Sequence, residues 1–330
     1  MSKSKPGFCI YSPSVHRFKK ILIKAGQKSA KKASFTQLAS DVFNLPHSSN
    51  LDKHLMVAEV LWDHDGRNVV FPGDSEFFHK LMASKFSLEH VGELNLPYSS
   101  FILAMPKGFV VDGVEIPSVV VSHHKASDRE SRYDLANNLM AVPLMAHEEN
   151  NLAGCDSLSF FYQDPYEQEG VIVQVNQTPA HMGAALKSDS ANEYADILGA
   201  IPKDLVSPVA MDPSSTDHII QYVLTKIIAG ISVYLSATNT DRLKTGLPYN
   251  GRLSISNLKT DVRYSFSHLP SHSLADDIDG TMVMTTRSFH FRQLRAPKYY
   301  QNEHKHKPAG SRWVFVNEAQ VGHYKASHIE

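Results

Sequence analysis

The sequence predicts an α+β protein. It has a mainly helical N-terminal part, an antiparallel sheet of about five strands packed by one long apolar helix, and a basic C-terminal hairpin. Three observations carry this. Apolar residues recur at helical spacing through much of residues 1–92. Short valine- and aromatic-rich runs separated by turn residues follow, beginning at residue 100. A single stretch, residues 219–237, is apolar over more than four helical turns.

Taken in order, Ser14 is placed to cap a helix starting near Val15. Phe18, Ile21, Leu22 and Ala25 repeat at helical spacing, and Lys19, Lys20 and Lys24 take the other side. Such a basic amphipathic helix suits RNA, an anionic membrane surface, or simple docking of its apolar stripe. Residues 28–34 are rich in Lys, Ala and Ser and read as mobile. A second helix starts at Ser49 or Asn50, uses Leu51, Leu55, Met56, Val60 and Leu61, and ends at Trp62. The run Asp63-His64-Asp65-Gly66 is a turn, Val69 to Phe71 a short strand or extended piece, and residues 75–83 a short helix.

The strand runs cover residues 100–105, 109–111, 116–122, 158–162 and 171–175, with Asp112-Gly113 as a hairpin signal. Residues 133–145 have helical spacing broken at Pro143, and 192–198 form a short helix. The long helix is capped by Ser215 or Thr216, with Asp217 in its first turn. Its stripe runs from Ile219 through Val223, Ile227 and Ile231 to Leu235. Gln221 and Lys226 interrupt it, as in a core helix rather than a membrane span. Four regions result: 1–92, helical with a basic start; 93–244, the sheet and central helix; 245–280, a polar linker or insert; and 281–330, a basic aromatic segment. In the last, strands over 281–291 and 312–316 pair around a loop at 295–310.

Composition narrows the function. Two cysteines, Cys9 and Cys155, match no ligand spacing and fit a reducing compartment. The polar residues 1–6 lead into no long apolar run, so a cytoplasmic setting is expected. Net charge is −1, but residues 1–40 hold nine Lys/Arg and no acid, and residues 281–330 hold eight Lys/Arg against three acids. The remaining 41–280 carry 31 acids against 16 Lys/Arg. This segregation fits a polyanion at the ends, or ends that lie on the acidic body and neutralise it. There is no glycine-rich phosphate loop, HExxH, nucleophile elbow or paired CxxC. His123 and His124 are adjacent, and on a strand would face opposite ways. His304 and His306 have no nearby cysteine or acid pair to complete a metal site. The acid clusters Asp63/Asp65 and Asp276/Asp277/Asp279 sit in turn-like segments where Asp is common for backbone reasons. No cofactor or metal is expected.

The C-terminal segment is the strongest feature. Arg287, His290, Arg292, Arg295, Lys298 and Arg312 interleave with Tyr299, Tyr300 and Trp313. Cations attract phosphate, and unpaired bases stack on aromatic rings, so these nine residues are the candidate nucleic-acid contacts. A core hairpin with Phe289, Phe291, Trp313 and Phe315 inside and cations in solvent is compatible with the same pattern. A metal-independent ribonuclease would use His290 as acid or base beside Arg292, Lys298 and Arg312. A virion or assembly protein with a nucleic-acid-binding tail is a further alternative.

Arg287, His290, Phe291 and Arg292, a basic loop, then Arg312-Trp313 and Gly322 resemble the end of a family carried by phages and plasmids. That family is typified by the second type V-A anti-CRISPR protein. Trp62, the Leu94-Asn95-Leu96-Pro97-Tyr98 run and the long apolar helix before the polar linker are similar to the family's anchors and occur in the same order. Phe289 stands where family members carry Gly, and Phe291 where they carry Trp. The resemblance implies recognition of a nascent polypeptide, with loss of its mRNA and suppression of the target's expression. The implied partners are a nascent peptide or ribosome and RNA, in a bacterial cytoplasm and without a membrane.

Overall fold

The computed structural model describes residues 7–72, 77–87, 94–125, 127, 129–142, 156–163, 172–201, 215–238, 243–245, 263–266, 282–287, 290–316 and 319–324. The first third holds β1 (Phe8–Cys9), α1 (Ser14–Lys24), α2 (Phe35–Phe43), α3 (Asn50–His64), β2 (Val69–Phe71), α4 (Phe77–Ala83) and β3 (Lys85–Ser87). The middle holds β4 (Ser100–Leu103), β5 (Met105–Pro106), β6 (Val110–Val111), β7 (Val114–Glu115), β8 (Val119–His124) and α5 (Arg129–Met140). It continues with β9 (Ser157–Gln163), β10 (Ile172–Gln177), α6 (Pro179–Lys187), α7 (Ala191–Gly199) and α8 (Thr216–Thr238). The last part holds β11 (Leu243–Thr245), β12 (Arg263–Phe266), β13 (Met282–Arg287), β14 (His290–Leu294), β15 (Arg312–Val316) and β16 (Ala319–Tyr324).

The class is α+β. The main sheet has seven strands in the order β10-β9-β8-β4-β2-β12-β11, wider than the strand runs suggest. It is also mixed, because β2 runs parallel to both β4 and β12. Four of the five strand runs enter it, through β4, β8, β9 and β10, while the run at 109–111 forms β6, which pairs with β7 in a separate ribbon. The other three members come from outside the strand-rich middle. β2 arrives from the helical N-terminal part, and β11 and β12 flank or lie in the stretch that reads as a polar linker. Each is three or four residues long, too short to show a period-2 pattern.

The pleat sends alternate side chains into two cores. Val70, Phe101, Leu103, Val119, Val121, Phe160 and Tyr162 join α4, α6 and α8 on one face. Val69, Phe71, Ile102, Val120 and Phe161 join α1, α2, α3 and α5 on the other. The α8 helix is buried continuously from Ile220 to Leu235, as expected of a helix with neighbours on every side. By length and composition it could cross a membrane, but 89% of that window is buried inside the protein. The hairpin β14–β15 does not extend the main sheet. It forms a separate three-stranded sheet with β3, packed against α8.

Local signals explain most helix ends. Ser49 and Asp52 form a reciprocal capping box at the start of α3. The Asp112-Gly113 turn has both residues at positive φ (51° and 80°), as a tight hairpin turn requires. Two expectations change. Ser14 is the first residue of α1 and not its cap. The cap is the wholly buried Glu59 of α3, whose carboxylate accepts from the amides of Ser14 (2.6 Å) and Val15 (3.0 Å) and from the Tyr11 hydroxyl (2.7 Å). Burial pushes the Glu59 carboxyl upward, against the pull of these donors. Residues 28–34, read as mobile, are ordered. Lys28–Lys31 form a 3₁₀ turn, Lys19 Nζ donates to the Ala33 carbonyl at 3.2 Å, and Ser34 caps α2.

Candidate nucleic-acid interface

The antiparallel register of β14 and β15 pairs Phe291 with Phe315, Arg292 with Val314, Gln293 with Trp313 and Leu294 with Arg312. Paired residues share a face, so the strand divides the candidate residues. Phe291, Gln293 and Trp313 point toward α8. Phe291 is fully buried, stacks on Phe86 at 5.3 Å and meets Tyr234 edge-on at 6.3 Å. Trp313 is half-buried against the same core. On this face the hairpin is a packed wall.

The opposite face carries His290 and Arg292. Arg292 is exposed, and so is its partner Val314. The following loop exposes Arg295, Lys298, Lys305, His306 and Lys307. Residues 290–316 hold six Lys/Arg and one acid, Glu303. The loop is braced from inside. The Tyr300 hydroxyl donates to the Leu294 carbonyl (2.5 Å) and accepts from the amides of Gly310 (2.6 Å) and Arg312 (3.2 Å). Gln293 Nε2 donates to the Gly310 carbonyl at 2.6 Å, and Arg312 Nη1 donates to the Tyr299 carbonyl. Gly310 sits at φ 85°, a conformation that favours glycine.

The nine candidate residues therefore separate into groups. Arg292, Arg295 and Lys298 are exposed, and half-exposed Tyr299 has the Lys298 ammonium 5.1 Å from its ring centre. Tyr300, Arg312 and Trp313 hold the loop and the hairpin in place. Arg287 ends β13, whose partner is β16 in a different two-stranded sheet. Phe289 lies outside the described residues. His290 and Arg312 sit at opposite ends of the hairpin, since Arg312 pairs with Leu294 and His290 with Val316. Four residues of strand separate those positions by about 13 Å. The register thus does not gather His290 with Arg312 as the ribonuclease alternative requires.

A second polar group went unread in the sequence. Lys226, which interrupts the apolar stripe of α8, is 1% exposed. Its ammonium donates to the Ser188 carbonyl at the end of α6 and lies 3.3 Å from the Tyr222 hydroxyl. Burial pulls its pKa down to about 8. Tyr222 also donates to Ser188 O (3.0 Å), and His218 Nε2 meets Ala191 O at 2.9 Å. In α6, His181 Nδ1 accepts from the Thr178 amide at 3.3 Å, and burial lowers that histidine to about 4. Lys226, Tyr222 and His218 tie α6 and α7 to α8, while His181 caps its own helix. The signal for them was a lysine in an otherwise apolar helix.

His123 is held by Asp156 at 3.2 Å, while His124 stacks on Tyr133 at 5.1 Å. Among the described residues, no group of three or more His, Cys, Asp or Glu converges as a metal site would need. Comparison with family models, curated proteins and solved structures finds no match to this chain.

Proposed function

We propose that the chain binds RNA through the outer face of the β14–β15 hairpin and the loop that joins its strands. It does so as a mobile-element protein that engages a nascent polypeptide or its ribosome and message, in the manner of the anti-CRISPR family it resembles. The observation that supports this reading is exposed Arg292 on β14 together with exposed Arg295, Lys298, Lys305 and Lys307 on a loop braced by Tyr300. A braced loop presents its charges without first being ordered, which lowers the cost of binding. Five phosphate contacts would give a salt slope near −3.5 for a single strand, at roughly 0.7 per contact. Among the described residues, Tyr299 is the ring beside the exposed cations that neither braces the loop nor packs on the core, so backbone attraction dominates and base preference is weak.

The test is expression in a bacterium, crosslinking, sedimentation and sequencing of the bound RNA. Co-sedimentation with translating ribosomes, enriched near the start codon of one message, is the expected result. Sedimentation as free protein without enriched RNA would refute the proposal.

A further inference from the structure

We propose that a second polyanion surface lies on the other side of the sheet. There Lys20 and Lys24 of α1, with Lys28, Lys31 and Lys32 of the turn after it, hold the phosphate backbone of duplex RNA. This inference is independent of the hairpin's role.

The described residues 7–40 contain Arg17, Lys19, Lys20, Lys24, Lys28, Lys31 and Lys32 and no acid. Five of these, Lys20, Lys24, Lys28, Lys31 and Lys32, are exposed. None of the five is paired with a carboxylate among the described residues. The helix dipole favours a cation in the last turn of α1, which explains Lys24 but not the others. Lys20 and Lys24 are one turn apart on the same side, about 6 Å between Cβ atoms. Lys28 and Lys31 eclipse each other on the 3₁₀ turn, whose Ala30 is buried. Lys19 is the exception, since its ammonium ties the turn to α1 through Ala33. The exposed lysines thus stand on an ordered backbone.

The chemistry selects the partner. A lipid surface needs an apolar helix face to insert. Here Val15, Phe18 and Leu22 already pack in the second core, which leaves Ile21 as the one large apolar side chain of α1 that is mainly exposed, at 61%. A single-stranded nucleic acid needs rings to stack on, and none of the exposed residues of α1 or its turn is aromatic. Duplex RNA is recognised by shape and by cations on its phosphates, without base stacking. Lysines as flexible point charges suit that task.

The experiment compares the full chain with K20Q/K24Q/K28Q/K31Q and with R292Q/K298Q. Each is titrated with an RNA duplex of about 20 base pairs, an unstructured uridine oligomer, and phosphatidylglycerol vesicles. All four lysines are exposed, so the fold should survive; thermal unfolding of the variant checks this. A double variant K20Q/K28Q serves if it does not. The expected result is at least a tenfold loss of duplex affinity and a flatter salt slope for the lysine variant, with uridine-oligomer binding within twofold of the parent. Unchanged duplex affinity would overturn the proposal, as would a loss confined to the vesicles. Failure of R292Q/K298Q to weaken oligomer binding would speak against the hairpin alone.

Discussion

The two cation-rich ends of this chain are built on opposite principles. At the N-terminal end, α1 uses its apolar stripe against α2 and α3 and displays lysines with no exposed ring among them. At the C-terminal end, arginines and lysines sit beside tyrosines on a loop held by three hydrogen bonds to one hydroxyl. The first surface can sense charge and spacing alone. The second fixes where its charges stand and offers a ring, Tyr299, beside them. They also belong to different cores, one on each face of the seven-stranded sheet. Similar composition at two ends of a sequence thus need not mean one composite surface.

The sharpest way to separate the ends is to remove what anchors each. Phe291→Ala deletes a wholly buried ring between Phe86 and Tyr234 and should cost about 3–5 kcal/mol in urea unfolding. Ile21→Ala, at a residue 61% exposed, should change stability by no more than about 0.5 kcal/mol. Equal effects would mean that the hairpin is not anchored as described.

The next effect concerns α8, against which the hairpin packs. Lys226 titrates near 8 in the folded chain against an ordinary 10.5. Between those values the unfolded chain binds the extra proton, so stability rises with pH across the window. Below about 8 both states are charged and the folded one carries the burial cost in full. The gain from pH 8 to 10.5 should approach about 3 kcal/mol, at 1.36 per unit. Lys226→Met should abolish that part of the rise, measured as the difference between the two unfolding curves at each pH. A rise of the same size in the variant would show that Lys226 is not its source.

His181 gives an acid-side counterpart. Its pKa is lowered to about 4, so the folded state binds fewer protons than the unfolded one between about 4 and 6.5. Stability from this group is present above 6.5 and lost as pH falls through that window. His181→Asn should flatten the acid limb of the stability profile without changing the alkaline one.

A more local effect is expected of Tyr300→Phe. It removes a half-buried latch from the loop and should cost about 1–3 kcal/mol. Hydrogen exchange at the Gly310 amide should accelerate, while exchange in the α1 region stays as it was.

Much of the fold was legible because the signals were local. Ser49, the Asp112-Gly113 turn and the stripe of α8 each fixed an element through its own residues. The cap of α1 was not legible, because it is supplied by Glu59, 45 positions away from Ser14. The width and mixed direction of the sheet were hidden for a related reason. β2 was legible as a short extended piece at Val69–Phe71, but not its parallel pairing with β12, which is too short to announce itself. The helix α6 begins at Pro179 after a capping threonine, Thr178, and its Ala-rich sequence gives little periodicity. For the candidate interface, the sequence supplied the charges but not their sorting. Tyr300 and Arg312 look like Tyr299 and Arg292 in a list of residue types. Only the register and the Tyr300 bonds separate those that brace the loop from those that face solvent.

The central claim, that the exposed cations of the hairpin bind RNA, is tested most directly by the salt dependence of binding to an unstructured uridine oligomer. The slope of log affinity against log salt should lie near −3.5 for the parent chain, and R292Q/K298Q should flatten it by about 1.4, at 0.7 per lost contact. An unchanged slope and affinity in that variant, with the fold intact, would contradict the claim and return the hairpin to a purely structural role.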